Sequence, residues 1–152
     1  TRHHLRISFF TTLASLTLAT CLQAGETINY SVKEDIDDIL FAVENEIIGR
    51  GLKIDHVSHV GDMLVRTQMD VGATKTIYRK AEVITFCSAT LSREMMEINP
   101  ANLTFCPYKI FVYSTIDQPD ITHIGHDTSP DGEMKKVEAF LDQIVKDAIG
   151  QD

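Results

Sequence analysis

Cys87 and Cys106, each directly after a phenylalanine, are the residues whose type and spacing best suit chemistry in this chain. A thiol pair can close as a disulfide or pass electrons; with an imidazole beside it, it can hold zinc, copper or haem iron. His56 and His59 are the candidate imidazoles, His59 the favoured one, and Tyr108 and Arg93 stand near the thiols in sequence. A free cysteine is also a small core hydrophobe, so the pair reads as packing just as readily. Other catalytic patterns are absent: the chain has no Gly-x-Ser-x-Gly elbow, no His-Glu-x-x-His, no phosphate-binding Gly-rich loop and no Cys-x-x-Cys.

The elements that must position the thiols lie in Ala81–Thr115. Strand-like runs Glu82–Cys87 and Lys109–Thr115 flank a helix that Ser88 or Thr90 can cap, with Leu91, Met95 and Ile98 on one face and a stop at Asn99-Pro100. If the two strands run parallel, the cysteines stand about 20 Å apart; if antiparallel, both fall at one edge of the sheet, within reach of a bridge or a shared ligand.

The flanking chain supplies the rest of the domain. Thr27–Val32 alternates as a strand, and Ser31 with Glu34 fits a capping box for a helix whose apolar stripe is Ile36, Leu40, Val43 and Ile47, ending at Gly49 and Gly51. Leu52–Val60 alternates again, which puts His56 and His59 on opposite faces of a strand. A short helix opens at Gly61-Asp62 and ends at Val71-Gly72, with Met63 and Met69 as filler. Ile121–Asp127, carrying His123 and His126, is a further strand. Ser129-Pro130 starts a terminal helix with Met134, Val137, Leu141, Ile144 and Ala148 inward.

The predicted order β-α-β-α-β-α-β-β-α is that of an α+β fold, a mainly antiparallel or mixed sheet covered by helices. A doubly wound sheet is disfavoured, because no Gly-rich phosphate loop joins a strand to a helix and the last two strands are joined without one.

Composition sets the compartment and excludes some partners. With 152 residues, 43% of them hydrophobic, the chain fits a single domain with a real core. Residues 1–24 read as a signal peptide: Arg2 and Arg6 precede an uncharged run ending in Ala24, with cleavage expected between Ala24 and Gly25 and a lipoprotein-like cut before Cys21 the weaker alternative. The expected mature domain is 25–152, periplasmic or secreted, with no stable membrane span once the leader is removed. Losing Arg2 and Arg6 from 14 basic residues, with all 22 acidic ones kept, takes the net charge from −8 to −10. A surface so acidic repels phosphate backbones, which excludes nucleic acid as a partner. Cleavage also removes Cys21 and leaves an even pair of cysteines, which one disulfide would satisfy.

Four segments carry a family resemblance: Phe41–Asn45 through Gly51-Leu52, His56-Val57-Ser58-His59-Val60-Gly61-Asp62-Met63-Leu64, Phe86-Cys87-Ser88-Ala89, and Phe105-Cys106-Pro107-Tyr108-Lys109-Ile110-Phe111-Val112-Tyr113. Together they resemble the family called domain of unknown function 302. The resemblance implies a compact α+β domain, similar to the TATA-binding-protein-like fold and often dimeric, and it implies no reaction. Cys106-Pro107 also bears a faint likeness to short haem-responsive Cys-Pro motifs.

The function expected is therefore a non-enzymatic exported binding module for a metal ion, haem or small ligand near Cys87 and Cys106, with Tyr108 and His59 beside them, acting as a homodimer. The alternatives are an interaction domain whose cysteines are buried or disulfide-bonded, and a thiol-dependent redox enzyme, which lacks the paired motif that would lower a thiol pKa.

Overall fold

The structure is a computed structural model that describes residues 26–151. The leader, its Ala24–Gly25 junction and Cys21 lie outside the described residues.

Five strands form one antiparallel sheet in the order β1-β5-β4-β3-β2. They are β1 (Thr27–Val32), β2 (Lys53–Ser58), β3 (Tyr78–Cys87), β4 (Tyr108–Thr115) and β5 (Thr122–Asp127). Four helices, α1 (Ile36–Gly49), α2 (Val60–Thr67), α3 (Ala89–Ile98) and α4 (Lys135–Ala148), fall between and after them. The α+β class and the element order are those expected from sequence, with one addition: a 3-10 helix, Pro100–Phe105, fills the connection before β4. Asn99 caps it, accepting from the Ala101 amide at 3.0 Å.

Alternation along the strands divides the sheet into two unlike faces. Ile84 and Phe86 of β3, Ile110 and Val112 of β4 and Ile124 of β5 point to the core, where α1 contributes Ile36, Ile39, Leu40, Val43 and Ile47, and α4 contributes Val137, Leu141, Ile144 and Val145. Both helices present the period-3.6 stripe read from the sequence. On the other face stand Val83, Phe111, Tyr113, His123 and Gly125, by the same alternation and the pairings Val83–Phe111, Phe111–Gly125 and Tyr113–His123. Gly125 is required there: a Cβ would lie 2.1 Å from the Ile28 carbonyl oxygen and 2.6 Å from the Phe111 ring. Helix α2 reaches only the start of β3, where Gly61 packs so closely that a Cβ would lie 2.9 Å from the Ala81 nitrogen.

Several boundaries differ from the sequence reading. Ser31 is not a helix cap, because β1 runs on to Val32 and the Ser31 hydroxyl pairs with His123 Nδ1 at 2.8 Å; Asp35 caps α1 instead, accepting from the Asp37 amide. Ser129 does not start α4, which begins six residues later; its amide donates to Glu138. The strand β2 stops at Ser58 and is bulged between Ile54 and His56, so strict alternation does not carry through to His59. Met63 and Met69 are not core filler: they are 39% and 90% exposed. Ile98 also faces out, leaving Met95 as the buried residue of α3.

Candidate functional site

Because β3 and β4 are antiparallel, the end of β3 meets the start of β4, with Phe86 opposite Tyr108. The connection α3 plus the 3-10 helix then returns the chain to the edge it left, and the Cys87 and Cys106 sulfurs come to lie 2.7 Å apart. Both cysteines are half-buried and unbonded. Ser92, on the second turn of α3, lies 3.8 Å from the Cys106 sulfur and donates to the Tyr108 hydroxyl at 3.1 Å. Tyr108 is buried edge-on to Phe86, with ring centroids 6.3 Å apart.

Burial is the main cause that pushes the Cys87 thiol up to about 12, followed by the hydrogen bond to Cys106 and the negative charge of Asp55. Burial likewise raises Tyr108, against the opposing hydrogen bond from Ser92. The cluster therefore holds its protons at neutral pH, the reverse of an activated thiolate site. Of the residues proposed from sequence, the fold unites Cys87, Cys106 and Tyr108, and it adds Ser92, which sequence reasoning missed. The signal for Ser92 was its place one helical turn after the Ser88 cap, on the side that returns to the cysteines.

A cleft of about 140 Å³ opens beside Cys106. Phe105, Pro107 and Tyr108 form one wall, Val137 and Leu141 of α4 another, and the Lys109–Asp127 ion pair, 2.9 Å long, stands among its polar residues. The volume matches a single small ring more closely than a cofactor, since sites for larger ligands run from roughly 300 Å³ upward.

The histidines lie elsewhere. His59 follows β2, with Nδ1 3.0 Å from the Glu82 carboxylate, and His56 is opposite Thr85 in β2. The two imidazoles share one groove, with Asp62, Met63 and Arg66. Among the described residues no group of three or more His, Cys, Asp or Glu side chains is placed to hold a metal ion.

The fold and the cysteine geometry agree with the comparisons with known proteins. A family model described as Domain of unknown function DUF302 matches residues 28–148. The chain belongs to this family. Among solved structures it is similar to an uncharacterized conserved DUF302 protein from Bacillus stearothermophilus, with a TM-score of 0.54 and 15% identity over 82% of this chain and 88% of that one. At that identity the likeness shows the DUF302 fold. No curated protein matches the chain. Among the described residues no helix is long and apolar enough to cross a membrane.

Proposed function

We propose that this DUF302 domain is an exported, non-enzymatic binding module that takes a small ligand in the cleft beside Cys106, with Cys87 and Cys106 closed as a disulfide that fixes one wall of that cleft. The observation that carries the reading is the approach of the two sulfurs at the root of the segment Phe105–Lys109, whose residues line the cleft. Export is supported by the leader pattern of residues 1–24 and by the even cysteine count it leaves. A thiol held near 12 disfavours the redox-enzyme alternative, because the thiolate is the attacking species.

The cleft has an apolar lining and charged groups at one side, which suits a small ring bearing a polar substituent. A homodimer is part of the same proposal, supported by the apolar sheet face that the helices α1 and α4 leave uncovered. The test is nuclear magnetic resonance of unreduced, isotope-labelled protein titrated with small aromatic acids and alcohols. Expected are saturable shifts at Phe105, Lys109 and Leu141 that Lys109→Ala weakens. Absence of binding, or shifts confined to other parts of the sheet, would sink the cleft. A count of two free thiols with a stoichiometric metal in native protein would return the pair to the role of metal ligands.

A further inference from the structure

The groove along edge strand β2 and the first turn of α2 has a volume of about 570 Å³ and is far from the cysteine pair in the sheet. Its chemistry starts with His59, whose side chain is 59% exposed while that of its partner Glu82 is 8% exposed. Glu82 is kept as a carboxylate acceptor by Lys80, whose ammonium lies 3.5 Å away, so His59 Nδ1 donates in the 3.0 Å bond. In the neutral ring the remaining nitrogen, Nε2, then carries the lone pair. A carboxylate that orients an imidazole from behind is how metal-binding histidines are commonly held.

The second donor is a thioether. The Met63 amide bonds the His59 carbonyl at 3.1 Å, so the two residues stand one helical turn apart on the same side of α2. Met63 lies at the surface beside Thr67, 3.9 Å from its sulfur, and lines the groove with His56. Two imidazoles and a thioether select among metals. Thioether sulfur favours soft Cu(I), whereas the harder divalent ions want more His, carboxylate or thiolate ligands than converge anywhere in the described residues. Arg66, in the same groove, opposes a dication more strongly than a monocation, and Asp62 offsets it.

We propose that this groove is a Cu(I) site in which His59, oriented by Glu82, and Met63 are the ligands from α2 and His56 is the ligand from β2. The proposal is independent of the cleft beside Cys106.

The experiment is anaerobic Cu(I) titration against a chromophoric chelator, using unreduced protein and, in parallel, the C87S/C106S double variant to remove thiol binding. Expected is one Cu(I) per chain in both. His59→Gln and Met63→Leu should each weaken binding at least about tenfold, and Glu82→Gln by about 10- to 100-fold, with unchanged circular dichroism. Glu82 is buried and its variant may unfold; His59 and Met63 are exposed, so their variants decide the outcome in either case. No Cu(I) binding to the unreduced protein, or binding unaffected by both surface variants, would overturn the site.

Discussion

Cys87 holds its proton so tightly that the reduced pair is a poor nucleophile, and this turns the two sulfurs from a reactive centre into a structural tie. With the thiol near 12, the thiolate at neutral pH is on the order of one part in 100,000, so alkylation of the folded, reduced protein should be very slow. Oxidation is a different matter, since the sulfurs already touch and the bond would close a loop across 19 positions. A loop of that size is expected to stabilise the fold by about 3 kcal/mol through the unfolded chain. Denaturant unfolding with and without a strong reductant measures this difference. Cys87→Ser and Cys106→Ser should each show the reduced value in both conditions; a reductant effect that survives in either variant would show that the tie is not this pair. The sequence marked both cysteines and left their separation open, because residue type says nothing about strand direction. That direction depends on β3–β4 pairing, with Tyr78 opposite Thr115, a contact made only in the folded sheet. The histidines misled for a related reason: period-2 alternation holds only while a strand lasts, and β2 is bulged and ends at Ser58, so His56 and His59 share a groove.

Between elements, Asp142 joins α4 to both strands at the β1 side of the sheet. Its Oδ1 accepts from the Tyr30 hydroxyl at 2.7 Å and lies 3.3 Å from Nε2 of the fully buried His126, while Oδ2 lies 3.2 Å from Lys146. His126 Nδ1 in turn bonds the Asp127 carbonyl at 2.8 Å. Burial alone would raise the Asp142 carboxyl, but the hydrogen bonds from Tyr30, His126 and Lys146 outweigh it and hold the group below the usual carboxylate range. The phenol of Tyr30 moves the other way, up to about 12, through burial and the same bond. A carboxyl lowered by folding contributes stability that is fully present above its unfolded value, about 3.9, and is lost as pH falls through the lowered one. Urea unfolding followed from pH 7 to pH 2 should therefore show an acid-side decline that Asp142→Asn reduces. The same variant should cost about 1–3 kcal/mol at neutral pH, because it weakens a partly buried charged network. An unchanged acid limb would remove Asp142 from the account. The stripes of α1 and α4 were legible because their periods are local, but the helix starts were not. Ser31 looks like a cap until its partner is known to be His123, across the β1–β5 pair.

At the scale of the molecule, the sheet is covered on one face by α1 and α4 and left open on the other, so the fold is half of a two-sided sandwich. The open face is apolar at its middle. Val83, Phe111, Tyr113 and Tyr78 surround a cleft of about 220 Å³ closed at one end by Val60. The aromatic groups are ordered against each other: Tyr113 stacks on His123 with centroids 4.7 Å apart and meets Tyr78 edge-on at 5.6 Å. Charge on this face is paired, since Lys109 bonds Asp127. Elsewhere the surface is strongly acidic, with a net charge of −8 for the whole sequence. Two such faces can meet without burying unpaired charge, whereas the acidic surfaces outside the contact repel one another. A self-associating chain built this way should associate more tightly as salt screens that repulsion, the opposite of a contact held by ion pairs. We predict a homodimer through this face, measured by sedimentation across protein concentrations at about 20 mM and 500 mM salt. Val83→Glu places a charge at the centre of the contact while staying outside the α1–α4 core, so it should yield monomer with the folded circular dichroism signal retained. A wild-type monomer at high micromolar concentration in both salts would refute the dimer, and a dimer indifferent to Val83→Glu would move the contact to another surface.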